Sequence, residues 1–406
     1  MRSLHYYLVG TGTWFAGFGL QSVLFAWLVT MVLRESPENV GIAQMALLLP
    51  GTLFILIGGS FADRHGGRRI AALAQLAAAV APVFLLGALL LDALSFGVML
   101  CYAVLLGTAQ AFVTPGRDGL LNQVAAGRVQ RTVMLASIAQ FGMQIVGTLM
   151  ASMADFVGPE PLLTLQAALL LLGAFAFTRV QTPAPGAAAK TEAAVARPSI
   201  LALVVEGAKA VFAHPALRII VVQNVAMALF FMGSFIVTIP LLVREVFAGT
   251  ASDLARVNAA NAAGLVITVL VLLRIGGVRR QGRALILSQL IGCVSLALAA
   301  FMPTYLGFIA VLFVWGICGG VAMTMSRTIM QEQAPQAMQG RVMSFYGFSF
   351  MGAGPIGALL SGYLVAALGP QQALVASAVG MLLVVSVVAL SSGLWRIAST
   401  EHATSV

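Results

Sequence analysis

Charge is scarce in this chain. Asp, Glu, Lys and Arg make up 9% of its 406 residues and hydrophobic residues 60%, whereas a soluble domain carries about 25% charged residues. A chain of this length so composed cannot clothe a globule in polar groups, so much of it must face lipid. Cysteine is nearly missing as well. Cys101, Cys293 and Cys318 all fall inside apolar runs, at spacings that fit neither a disulfide framework nor a metal site. The four histidines, His5, His65, His214 and His402, lie near the ends of apolar runs or outside them, and none of the 13 acidic residues lies near the centre of one. That removes a proton relay built at mid-membrane depth. No nucleophile–base pair, metal cluster or phosphate loop appears, which argues against enzyme chemistry and implies no cofactor. The net charge of +9 is spread through short loops rather than clustered on a solvated domain, so nucleic acid is not an expected partner.

What is present is a series of apolar runs of about 20 residues or more, each long enough to cross a bilayer. They read as twelve spans, at roughly 7–33, 40–62, 70–91, 96–116, 131–156, 161–180, 216–243, 253–273, 283–303, 306–330, 341–367 and 372–395. The first span is too long for the apolar core of a signal peptide and is expected to stay in the mature protein. With both termini placed inside, every Lys and Arg except Arg34, Arg244 and Arg256 falls on the inner face, a strong positive-inside bias. The expected architecture is an all-α membrane protein of twelve transmembrane helices in two six-helix bundles, 1–180 and 216–406. Between them, 181–215 reads as a cytoplasmic linker. Its Ala- and Pro-rich start is unable to form a core. The stretch Ile200 to Phe212 that follows, with Glu206 and Lys209 on one side, reads as a short interfacial helix or as an ordered piece of loop.

The two halves repeat. Arg117 matches Arg327 and Arg131 matches Arg341 at a constant offset of 210 residues, and Ile145-Val146-Gly147-Thr148-Leu149 matches Pro355-Ile356-Gly357-Ala358-Leu359 in the same register. The turn from Gly59 to Arg69 returns as Arg274-Ile275-Gly276-Gly277-Val278-Arg279-Arg280. Duplicated helical halves with a solute site between them are a transporter plan.

The run Gly59-Ser60-Phe61-Ala62-Asp63-Arg64-His65-Gly66-Gly67-Arg68-Arg69 resembles the loop between the second and third helices of the major facilitator superfamily. Gln110 to Gln123, with Pro115-Gly116-Arg117, and its partner from Arg327 through Pro335 to Gly340-Arg341-Val342 resemble a narrower branch, that of enterobactin-exporter-like and macrolide-efflux-like permeases. The resemblance covers nearly the whole chain. It implies a secondary transporter of the inner membrane, working by alternating access on a small-molecule substrate, with membrane lipid as its surroundings, protons as the candidate coupling ion and a monomeric state. Two departures stand out: Gly67 replaces a usual basic residue, and Leu273 stands where the second copy would carry the counterpart of Asp63. The Gly-Pro of antiporters, expected in the fifth span, is found in the eleventh as Gly354-Pro355.

Two groups of residues are candidates for function. In the first, Gly59 and Gly66 allow close approach and a tight turn, Arg64, Arg68 and Arg69 can meet anionic headgroups or carboxylates, and Asp63 can accept hydrogen bonds from a helix N-terminus near Arg341. That is a latch between the halves, or else a solvated turn that only sets topology. Arg117, Asp118, Arg327 and Glu332, at helix ends, are candidates for gating, for anchoring or for substrate contact. The second group is amides at mid-depth: Gln21, Gln110, Gln140, Gln144, Gln223, Asn224, Asn258 and Asn261, joined by Trp315. In hydrocarbon they must either bond between helices or line a wet cavity. A large, uncharged pocket would suit a bulky amphipathic solute such as a siderophore, an antibiotic or a metabolite. Export is the favoured direction, with import of a metabolite or lysolipid, or a sensor or assembly protein that moves no solute, as the alternatives.

Overall fold

The computed structural model describes residues 2–125, 129–181, 200–275, 278–335 and 338–397, and among them there are helices and no strand. Among the described residues twelve helices are long and apolar enough to cross a membrane. The first six are α1 (Arg2–Trp27, running on through a π-helical turn at Leu28–Val32), α2 (Pro37–His65), α3 (Gly67–Leu90), α4 (Phe96–Ala125), α5 (Val129–Ala151) and α6 (Pro159–Arg179). After α7 (Ile200–Ala213) come α8 (Pro215–Glu245), α9 (Ala251–Arg274), α10 (Gln281–Ala299), α11 (Tyr305–Gln333), α12 (Gln339–Leu368) and α13 (Pro370–Ser391). The linker reading for 182–199 and the repeat glycines Gly276 and Gly277 lie outside the described residues.

Local chemistry sets several of the breaks. Gly66, Gly158 and Gly369 take φ of +85°, +78° and +80°, a region closed to most side chains. At the last two, Pro159 and Pro370 open the next helix, where a missing N–H costs nothing. The expected fifth span, 131–156, ends early. α5 stops at Ala151, the Ser152 hydroxyl donates to the Leu149 carbonyl at 2.6 Å, and a single turn, Ala154–Val157, follows. Within α8 two π-helical turns, Met227–Met232 and Ser234–Thr238, precede Pro240. Proline cannot donate into a regular ladder, and the widened turns take up the mismatch.

The chain forms two compact units: Met1–Glu35, Ala46–Leu201 and Thr250–Ala255 in unit 1, and Ser36–Met45, Ala202–Gly249 and Arg256–Val406 in unit 2. Each unit therefore holds the first turns of a helix whose remainder belongs to the other, α9 in one case and α2 in the other. These stretches correspond at the 210-residue offset.

Inside unit 1, α1 packs on α5 and α6, and α3 on α4 and α6; inside unit 2, α10 packs on α11 and α13, and α8 on α12. Glycines fix the closest approaches. A Cβ on Gly147 of α5 would strike the carbonyl of Ala16 on α1, and one on Gly357 of α12 would strike the carbonyl of Ala228 on α8 at 2.5 Å. These are the two glycines that the sequence repeat aligns. The α2–α4 pair, with Gly58 on Ala111 and Gly107 on Leu47, has its counterpart in α9–α11, with Gly264 on Phe313 and Gly316 on Asn261. Small residues let helix backbones touch where no hydrophobic force distinguishes protein from lipid, so the duplication is built into packing as well as sequence.

Candidate functional site

The motif turn joins α2 to α3. Gly66 supplies the left-handed conformation, and Gly67 supplies room: a Cβ there would lie 2.5 Å from the carbonyl of Gly116 on α4. This gives a physical reason for the missing basic residue at 67. Arg68 turns back into unit 1 and donates to the carbonyl of Val180 at 3.2 Å, satisfying the free end of α6 with a cation, as the helix dipole favours. Arg64 and Arg69 are exposed and Gly59 is half-buried, while the side chain of Asp63 lies outside those described. Arg341, the other half of the expected latch, pairs with Glu206 at 2.7 Å. That pair ties α7 to the start of α12, where Gly207 fits against the Arg341 carbonyl and Phe212 meets Phe345 edge-on. The stretch from Ile200 is thus a helix docked on α12.

Arg117, expected at a helix end, lies about two turns inside α4, where it is buried and donates twice to Asp118, from Nε at 3.1 Å and from a terminal nitrogen at 3.0 Å, with its guanidinium 4.8 Å from the ring centre of Phe15. A buried cation held by a neighbouring carboxylate and an aromatic face is well compensated. Phe15 was not singled out by sequence reasoning, because a cation–π partner on another helix leaves no local signal. Asp118 itself stays 60% exposed. Its repeat-mate region differs: Arg327 is exposed, and Glu332 accepts a 2.7 Å hydrogen bond from the buried Gln281.

The mid-depth amides divide by unit. In unit 1, Gln21 and Gln110 come together with Trp14 and Gln166 around a cavity of about 10 Å³, room for about one water. Gln166, also absent from the sequence-based candidates, accepts from the Tyr102 hydroxyl at 3.2 Å. Gln140 and Gln144 lie half-buried on α5. In unit 2, Asn224 donates to the Tyr346 carbonyl at 3.0 Å and to Ser349 Oγ at 2.8 Å, and Asn261 donates to the Leu312 carbonyl at 3.4 Å. These two hold helices together. Gln223 is buried, Asn258 is half-buried, and Trp315 sits in an aromatic cluster with Phe231 at 5.6 Å and Phe235 at 6.0 Å, both from the π-helical part of α8. Among the described residues no group of three or more His, Cys, Asp or Glu could hold a metal ion.

A sequence model of the Major Facilitator Superfamily matches residues 8–358. The chain is 26% identical over 379 residues to the multidrug efflux pump Tap of Mycolicibacterium fortuitum, covering 91% of this chain and 90% of that protein. Its fold is similar to a mutant of the nucleoside transporter NupG, with a TM-score of 0.75 at 14% identity over 96% of this chain and 99% of the other. It is also similar to a bacterial homolog of the human lysosomal transporter Spinster in an inward-facing, unoccupied conformation, with a TM-score of 0.72 at 13% identity over 97% and 96% of the two chains.

Proposed function

Because this chain belongs to the major facilitator superfamily of membrane transporters, we propose that it is a secondary active exporter of a bulky amphipathic small molecule, working by alternating access. The observation that carries the direction is its similarity along 91% of its length to a multidrug efflux pump. The interior chemistry agrees. Apart from Arg117, whose charge is taken up by Asp118, the buried polar groups on the described helices are amides and hydroxyls such as Gln21, Gln166, Gln223 and Asn224, with aromatic rings at Trp14 and Trp315. Such groups suit an uncharged or weakly charged amphipathic solute better than a sugar phosphate, which would call for a buried cation facing it. The positive-inside pattern supports a cytoplasmic side for the basic turn Arg64–Arg69 and for both termini, in a protein of the inner membrane. The test is retention of dyes, macrolides and catecholate siderophores in cells with and without the gene. Expressing cells are expected to retain less of at least one; equal retention of all, or higher retention, would defeat the export reading.

Energy coupling follows from where the carboxylates lie. Asp118 is largely exposed two turns before the end of α4, Glu332 is bound by Gln281, and Asp155 caps α9; none stands at mid-depth in a span. A proton carried at such a position exchanges with bulk water from more than one state, so coupling is loose. In proteoliposomes, downhill movement of the exported solute is expected to persist without a pH gradient and to change only modestly when one is imposed. A fixed proton-to-solute ratio that survives neutralising Asp118, Glu332 and Asp155 together would refute this.

A further inference from the structure

Unit 1 carries a groove of about 390 Å³ on the α3–α4 pair that the transport reading does not use. From α3 it takes Ile70, Leu73, Ala74 and Ala77, one helical face, and from α4 the wall between Val104 and Phe112. Leu73, Val104 and Leu105 are 62%, 45% and 40% exposed, so the groove opens sideways, off the two spans. Its one polar side chain, Thr108, already donates to the Val104 carbonyl at 2.7 Å. The lining thus offers the polar groups of a solute a single hydroxyl oxygen as acceptor.

Its dimensions fit a hydrocarbon chain. From Ile70 to Ala77 the wall runs about 10 Å at 1.5 Å per residue, most of the roughly 15 Å depth of one leaflet. Its volume lies in the range of about 300–1,000 Å³ for small-molecule sites. One end of the groove is basic. Arg69, exposed, stands one turn before Leu73 on the same strip of α3. Phe112 meets Phe61 of α2 edge-on at 6.0 Å, and Phe61 in turn lies 5.4 Å from the ring of His65, beside the exposed Arg64. Arg68 is engaged elsewhere, at Val180.

We propose that this groove holds one acyl chain of an anionic phospholipid whose phosphate lies against Arg64 and Arg69. Each basic residue near a charged headgroup favours the anionic lipid by about fivefold, the equivalent of about 1 kcal/mol, so the pair gives a selectivity on the order of tenfold or more over a zwitterionic lipid with the same chains.

The experiment uses the full-length protein in nanodiscs holding either phosphatidylglycerol or phosphatidylcholine with a diazirine on the acyl chain, with crosslinks mapped by mass spectrometry. Phosphatidylglycerol is expected to label the peptides spanning 70–77 and 104–112 about tenfold more than phosphatidylcholine does, relative to labelling of the exposed strip at Leu171 and Leu172. Arg64→Gln/Arg69→Gln should bring the two lipids level there, and Ala77→Trp, which fills the groove, should remove the excess with the protein still eluting as a single species. Equal labelling by both lipids in the parent protein, or a preference unchanged in the double variant, would overturn the proposal. Loss of labelling on adding an exported dye, with no lipid preference, would assign the groove to the solute instead.

Discussion

Gly147→Leu is expected to leave little folded protein, and Gly357→Leu to do the same, while Gly142→Leu, five residues from the first, is expected to pass unnoticed. A side chain at 147 or 357 would be driven into a backbone carbonyl of the facing helix, Ala16 or Ala228, whereas nothing lies within 4 Å of a Cβ at 142, which is exposed. Overpacking a core costs about 1–3 kcal/mol when side chains can yield; here backbone must move, so the upper end applies. For one unit of roughly 200 residues that corresponds to a fall in melting temperature on the order of 10 °C, or to loss of the monodisperse species altogether. Fluorescence-detected elution of the tagged protein after heating separates the three variants. If Gly147→Leu or Gly357→Leu melts like the parent, the close helix pairs are not what holds each unit together.

The next largest effect concerns Asp155. Its two carboxylate oxygens accept from the backbone N–H groups of Ala251 at 3.0 Å and Ser252 at 2.9 Å, and Asp253 closes the same turn by accepting from the Thr250 N–H at 2.9 Å. A carboxylate on the exposed amides of a helix start is favourable in both charge and geometry. Asp155→Ala should raise amide exchange in the peptide spanning 247–257 by roughly tenfold to a hundredfold, from about 1.5–3 kcal/mol of charge-assisted bonding. Asp155→Asn, which keeps an acceptor, should fall between. Export is expected to drop in the same order, since α9 would lose its fixed end. Unchanged protection in Asp155→Ala would remove the cap from any account of transport.

The gross fold was legible in the sequence because lipid imposes length. Apolar runs of about 20 residues separated by short basic loops have few other readings, and the described residues hold twelve helices long and apolar enough to span. The repeat was legible at Gly147 and Gly357 because a glycine that touches backbone leaves no substitute. Helix ends were less so. α2 runs to His65 and α11 to Gln333, past the apolar windows that end near 62 and 330, because intrahelical hydrogen bonds continue into polar sequence. The π-helical turns of α8 carry no signal except Pro240 downstream.

The site was legible only in its residue types. Amides stood out against hydrocarbon, yet nothing local told that Asn224 would bond α12 whereas Gln21 and Gln110 would gather around a water-sized cavity with Gln166. Those outcomes depend on which helices become neighbours. The same holds for Arg341, whose charge meets Glu206 on a helix that the sequence offered only as one of two readings.

The exchanged helix tips bear on synthesis. Chains emerge from the ribosome N-terminus first, and domains ordinarily complete themselves in that order. Unit 1 cannot do so, because its residues Thr250–Ala255, with the amides that Asp155 binds, are made only after α8. Unit 2, for its part, needs Ser36–Met45, whose Gly41 fits against Gly362 of α12, a residue among the last to appear. A nascent chain halted near 200 should therefore be markedly more sensitive to protease in its first half than one halted near 260, although both contain all of α1 to α6. The two bundles mature together, late, and neither has a finished form that precedes the other.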